Sequence, residues 1–113
     1  MKHILDIPEI VYRDISGIRG YIAGKSEAAA QKTASKLLRS IESLPDSPFI
    51  GMQLKERFDI ETDLRFTIVK PYIILYRVDG DLIRIYRVLD GRSDYLAWIG
   101  LKSEESDENG FIN

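Results

Sequence analysis

Between residues 87 and 99 the chain reads RVLDGRSDYLAWI, a stretch dense in side chains that can do chemistry. Arg87 and Arg92 can hold an anion, Asp90 and Asp94 can pair with them or accept a proton, and Tyr95 and Trp98 can stack on a ring. Each also has an ordinary use. Arg92 and Asp94 can form a local pair at the start of a helix, where an acid meets the positive end of the dipole. Trp98, the only tryptophan, more often closes the edge of a core than it serves as a platform for a base. The one histidine, His3, lies at the other end of the chain and reads as an exposed terminal residue. Taken alone, these residues describe either a strand-to-helix corner or the working end of a site.

The frame that must position them is one domain. The chain has 113 residues, of which 44% are apolar and 30% charged, a globular balance with enough chain for one core of about two layers. It has no cysteine, so neither a disulfide framework nor a cysteine zinc site is expected, and no cofactor or metal is implied. The opening MKHILDIPEI is not a secretory signal, and no apolar run approaches the roughly 20 residues of a membrane helix, so a cytoplasmic protein with no membrane partner is expected. The formal charge of −2 is unevenly spread. Residues 103–113, SEESDENGFIN, carry four acids and no base, leaving 16 basic and 14 acidic residues in 1–102. The reading is a single domain over 1–102 and an acidic, flexible tail over 103–113. The nearly neutral body carries no strong nucleic-acid footprint.

HILDI (3–7) suits a short edge strand. Pro8 and Glu9 suit a helix start, and Val11, Ile15, Ile18 and Ile22 then form one apolar face. GKS (24–26) is a compact break in which Ser26 can cap the next helix. That helix, EAAAQKTASKLLRSIESL, repeats apolar residues at Ala30, Ala34, Leu37, Ile41 and Leu44, with Lys32, Lys36 and Arg39 off the face. Two helices on so short a connection predict an antiparallel hairpin. PDSPFIG (45–51) is turn chemistry, and MQLKERFDIETD (52–63) is expected to cross the surface.

The period then changes to two. LRFTIV (64–69), YIILYRV (72–78) and LIRIYRVL (82–89) read as strands, with Asp79–Gly80 as a hairpin signal between the last two. A turn at Asp79–Gly80 pairs Arg77 with Leu82, Leu75 with Arg84 and Ile73 with Tyr86. One face would carry Tyr72, Ile74, Tyr76, Val78, Ile83 and Ile85 as core. The other would carry Ile73, Leu75, Arg77, Leu82, Arg84, Tyr86 and Val88, half apolar and half basic. Ser93 could cap a short helix, DYLAWI. The predicted architecture is α+β: an N-terminal strand and an antiparallel helical hairpin packed on one face of an antiparallel β-sheet, in the order β-α-α-β-β-β, with a short C-terminal helix.

With that order in place, the chain resembles the RelE/ParE toxins of type II toxin–antitoxin systems, nearer the ParE branch. The resemblance covers about residues 10–99 and rests on Ile41–Leu44, Pro48, Gly51, Arg65, Tyr72, Tyr76, Ile85, Val88, Leu89, Gly91, Arg92 and Asp94. It implies a toxin held inactive by a cognate antitoxin, as a homodimer or a toxin–antitoxin hetero-oligomer. The ParE branch of the family poisons DNA gyrase. The RelE branch cuts mRNA on the ribosome without a metal, and a shared fold does not choose between them.

An mRNA-cleaving site needs a base, an acid and a cationic clamp within hydrogen-bond reach of one phosphate. The resemblance offers Arg65, Arg92 and Tyr95 for these roles. Against it, Asp90 stands where many relatives have histidine, Ile73 replaces the arginine of a Tyr-Arg pair, and Thr67 lies where a second lysine would sit. Half of the clamp is missing, which favours a gyrase-binding inhibitor over a ribosome-dependent endoribonuclease. The mixed face of Ile73, Leu75, Arg77, Leu82, Arg84 and Tyr86, with Trp98, fits a groove for a partner segment: apolar anchors for burial, arginines for an acidic antitoxin.

Overall fold

The structure, a computed structural model, describes residues 3–92. Glu9 opens helix α1 (Glu9–Ala23) directly after Pro8, whose missing amide costs nothing at that position. Ser26 caps helix α2 (Glu27–Glu42), its Oγ accepting from the Ala29 N–H at 3.1 Å. A 3-10 turn over Leu44–Asp46, with Pro45 inside it, ends the helical half. Val11 and Ile15 face Ala34, Leu37 and Ile41 in one buried cluster, as the apolar spacing predicts. Burying a leucine or isoleucine in such a cluster contributes roughly 1.5–3 kcal/mol. Arg19 fastens the open side of the hairpin through Glu27 (2.9 Å) and Gln31 (3.1 Å).

The five strands are β1 (Ile4–Asp6), β2 (Met52–Gln53), β3 (Arg65–Val69), β4 (Tyr72–Asp79) and β5 (Leu82–Asp90), in the spatial order β1-β5-β4-β3-β2. The α+β architecture holds, with one correction to the all-antiparallel expectation. β1 runs parallel to β5, Ile4 opposite Leu82 and Asp6 opposite Arg84. The two are joined by most of the chain rather than by a tight turn, so no hairpin dictates their relative direction.

The β4–β5 hairpin also departs from the expected register. Its turn residues are Gly80 and Asp81, not Asp79 and Gly80, so Asp79 pairs with Leu82 and Arg77 with Arg84. Gly80 has φ 61° and Asp81 is not left-handed, which suits a turn with glycine first rather than second. A bulge follows: Tyr76 faces Ile85 while Leu75 faces Arg87, leaving one extra residue on β5. The bulge reverses the alternation beyond it. Val88, expected on the outer face, is buried in the helix-side core, and Leu89 turns outward.

The segment 52–63 does not simply cross the surface. Met52 and Gln53 pair with Phe66 and Arg65, and Leu54–Phe58 forms a single helical turn, α3. The Leu54 N–H donates to the Leu64 carbonyl at 3.1 Å, closing the segment on itself. Leu54, Leu64 and Phe66 thereby cover Ile73, Leu75 and Leu89, with Phe58, Ile60 and Tyr86 packed around them. The sheet is buried on both faces, by the hairpin on one side and by this smaller cap on the other. The expected DYLAWI helix lies outside the described residues.

Candidate functional site

Two clusters of polar side chains mark opposite ends of β3 and β4. At the first, Gly51 lies against Tyr76, a fully buried tyrosine at the middle of the sheet. The Gly51 N–H donates to Tyr76 Oη at 2.8 Å, and Tyr76 Oη–H donates to the Pro48 carbonyl at 2.9 Å. Arg65 Nη1 donates to the Gly51 carbonyl at 2.8 Å, and its guanidinium lies 4.9 Å from the centre of the Phe49 ring. A Cβ on residue 51 would come within 2.6 Å of Tyr76 Oη and 2.8 Å of the Phe66 carbonyl, so only glycine fits there. Burial pushes the Tyr76 phenol above its ordinary pKa, although the Gly51 hydrogen bond and Arg65 pull the other way. This cluster ties the 47–51 loop to the sheet.

At the second end, Asp90 accepts from Arg92 Nε at 3.0 Å and Nη2 at 2.9 Å, and from the Arg92 amide at 2.8 Å. The guanidinium holds the Asp90 carboxyl below the usual carboxylate range, and the same hydrogen bond holds Arg92 charged. Tyr72, opposite Asp90 across the β4–β5 pair, has its phenol raised by burial and then by the Asp90 charge. The Gly91 N–H donates to the Pro71 carbonyl at 2.8 Å, which sets Arg92 beside the β3–β4 turn.

Between these ends, Asp14 of α1 finishes an incomplete strand edge. β1 pairs with β5 only as far as Arg84, so the Val88 amide beyond it lacks a strand partner on that side. Asp14 Oδ2 accepts from Val88 N–H at 3.0 Å, and both carboxylate oxygens accept from Arg87 at 2.8 Å. That charge-assisted fork raises the Arg87 pKa. A cleft of about 400 Å³ lies over this pair, between Arg13 and Tyr21 of the helix and Tyr72 and Asp90 of the sheet.

The structure separates the residues offered for phosphate chemistry. Arg65 is opposite Tyr76, whereas Asp90 is opposite Tyr72, four positions further along β4. Four strand positions span roughly 13 Å, and Arg92 lies two residues beyond Asp90. The two arginines thus lie at opposite ends of the β3–β4 pair, and each is already paired within the chain, Arg65 with the Gly51 carbonyl and Arg92 with Asp90. Tyr95 and Trp98 lie outside the described residues.

The proposed docking face also needs correction. Ile73 and Leu75 are 5% and 0% exposed beneath the 54–66 cap, so neither is available as an apolar anchor. Leu82 and Tyr86 are half-buried. Arg77 and Arg84 face each other across the hairpin, an unfavourable pairing relieved by Asp63 and Asp6, each at 3.0 Å. Exposed apolar side chains lie elsewhere, at Phe49, Ile50, Met52 and Ile68.

Sequence reasoning also missed a grouping of cations. Lys25, Lys36, Lys70 and Arg92 line one cleft of about 290 Å³ together with Tyr21 and Tyr72. Lys36 was visible only as a residue off the apolar helix face. Nothing in its spacing linked it to Lys70 or Arg92, because the hairpin and the β3–β4 turn meet only in three dimensions.

Three comparisons bear on this arrangement. Residues 10–95 match the family model described as the ParE toxin of the type II toxin–antitoxin system parDE. The chain is similar to Toxin ParE3 of Caulobacter vibrioides, 40% identical over 76 residues that make up 64% of this chain and 73% of that protein. Toxin RelE2 of the same organism is 35% identical over 75 residues, 66% of this chain and 80% of that protein. Among solved structures, a chain of the chromosomal ParDE system of P. aeruginosa superposes with a TM-score of 0.64 at 19% identity, covering 79% of this chain and 96% of that one, a likeness of fold. With the helical hairpin, the antiparallel β3–β5 core and a family match across nearly the whole described domain, the chain belongs to the ParE toxin family of type II toxin–antitoxin systems.

Proposed function

We propose that this toxin arrests growth by binding and poisoning DNA gyrase, acting through a surface rather than through bond cleavage, and that a cognate antitoxin neutralises it. The separation of Arg65 from Arg92 carries this reading. Cleaving RNA at a 2′-hydroxyl needs several charged groups on one phosphate, whereas these two sit at opposite ends of a strand pair. Arg65 is further committed to the Gly51 carbonyl and the Phe49 ring. The ParE family match supports the same target, since poisoning of gyrase is what resemblance to that branch implies.

The test pairs two assays on the purified protein. Gyrase supercoiling should fall with toxin concentration, while mRNA on translating ribosomes stays intact. Cuts at codon boundaries with supercoiling unaffected would establish the RelE-type endoribonuclease instead.

For the antitoxin, the contact surface narrows to Arg77, Leu82, Arg84 and Tyr86, with Trp98 outside the described residues, since Ile73 and Leu75 are buried. Arg84 already has Asp6 as a partner, so an antitoxin carboxylate would join or displace that pair. Arg84→Glu should weaken antitoxin binding about tenfold or more by titration calorimetry. Unchanged affinity would move the interface elsewhere.

A further inference from the structure

The cleft between the hairpin tip and the β3–β4 turn concentrates positive charge without an answering acid among the described residues of its walls. Lys25 comes from the middle of the α1–α2 connection, Lys36 from α2, Lys70 from the strand turn and Arg92 from the residue after Gly91. All four are exposed. Lys36 and Lys70 form no ion pair with any described residue, and Lys25 rests 5.6 Å from the centre of the Tyr21 ring. Among the described residues only Arg92 of the four has a carboxylate partner, Asp90, which lies outside the cleft lining. Four cations around one concavity repel one another and create a local positive potential that an anionic chain can relieve.

The same chain carries a matching anion. Glu104, Glu105, Asp107 and Glu108 fall within five residues, and 103–113 contains no basic side chain. Arg92 is itself a wall of the cleft, and only the 11 residues 93–103 separate it from Glu104. A connection of that length reaches about 40 Å when extended, so it can leave the cleft and return. Closing so short a loop costs little, and the tether holds the acids at an effective concentration on the order of millimolar. An untethered polyanion must compete against that local supply.

We propose that the acidic segment Glu104–Glu108 docks in the Lys25–Lys36–Lys70–Arg92 cleft of its own chain, acting as a built-in counter-ion that shields the cleft from other polyanions. Four carboxylates meet four cations, and the exposed Tyr21 ring gives the segment an apolar flank. Because every cation of the cleft is exposed, the contact is electrostatic and reversible and should respond to salt.

The chain has no cysteine, so a single Asn109→Cys substitution accepts one nitroxide label cleanly. In the full-length protein at low salt, the label should broaden the amide signals of Lys25, Lys36 and Lys70. The broadening should disappear at about 1 M salt, where the screening length falls to about 3 Å. It should also disappear when Glu104, Glu105 and Glu108 become glutamine and Asp107 becomes asparagine. An octathymidylate probe should then bind that neutralised chain about fivefold or more tighter than the parent. Charge reversal by Lys36→Glu, on an exposed helix face, should reduce the broadening without altering the fold. Absence of broadening at the three lysines overturns the proposal, as does broadening that survives neutralisation. Equal oligonucleotide affinity for the parent and neutralised chains likewise overturns it and assigns the cleft to an external polyanion.

Discussion

The two ends of the β3–β4 pair use the same residue types to opposite effect. At one end, Arg65 and Tyr76 spend their polar groups on the backbone of residues 48–51. At the other, Arg92 and Tyr72 sit beside lysines that no described acid neutralises. The difference lies in what surrounds them. The 47–51 loop folds over Tyr76 and excludes water, so its peptide groups must be satisfied by protein. The β3–β4 turn is open, and water can serve the polar groups there. An arginine and a tyrosine near one another therefore do not by themselves mark a site. The closed end holds the fold, and the open end is available to a ligand.

Substitutions at the closed end should cost stability. Gly51→Ala drives a methyl into the Tyr76 phenol and a backbone carbonyl that cannot retreat, and should destabilise by about 3 kcal/mol in urea unfolding. A near-zero change would mean that the loop is not locked as described. Tyr76→Phe is milder. It leaves the Gly51 N–H and the Pro48 carbonyl without their partner and should cost about 2 kcal/mol. Asp14→Ala tests the edge between the two ends and should cost between about 1 and 2 kcal/mol, because Arg87 can recover part of its hydration. Faster hydrogen exchange at Val88 would identify the cause as the uncovered amide, and unchanged exchange would reject it.

The smallest effects separate the ends by pH. Tyr76 has its pKa raised in the folded state, so its contribution is complete below the ordinary value of 10.0 and is lost as pH rises through the folded value. Ultraviolet titration should show this phenol ionising later than exposed tyrosines. Asp90 has its pKa lowered, so its contribution is present above the ordinary 3.8 and is lost as pH falls through the folded value. Asp90→Asn should therefore differ slightly from the parent near neutral pH and converge with it in acid. A gap that persists in acid would show that the carboxylate charge is not what Arg92 reads.

The helices were legible because their evidence is local. The spacing of Val11, Ile15, Ile18 and Ile22, and of Ala30, Ala34, Leu37 and Ile41, carries the period of 3.6, and Ser26 announces its own cap. The strands were legible for the same reason, and so was the helix-side face of Tyr72, Ile74 and Tyr76. The register was not, because Asp79–Gly80 and Gly80–Asp81 are both acceptable turns. The choice depends on how the two strands pack along their whole length. Val88 was misplaced for a related reason: strict alternation from Ile83 and Ile85 would put Arg87 on the core face, a break that shows a disturbance in LIRIYRVL but not that one extra residue at Tyr86 causes it. The cap over Ile73 and Leu75 was missed because Leu54, Phe58, Ile60 and Leu64 are too few for a periodic signal. They declare themselves only once the sheet offers them an apolar surface.

Among the site residues, Arg65 and Arg92 were singled out by their match to a family pattern, yet the pattern does not contain their distance. Asp14 gave no signal, because an acid in the second turn of a helix is unremarkable until an unpaired strand amide lies opposite it.

The sequence by itself determined the helical hairpin, the three long strands, the α+β class and the family, because periodicity, caps and motif order are properties of neighbours along a chain. Tertiary structure alone decided which arginines are consumed, which apolar face is sealed, and which four cations share a cleft. Those outcomes depend on contacts between distant residues, where burial, not residue type, settles whether a charged or polar group is satisfied internally or left for a ligand.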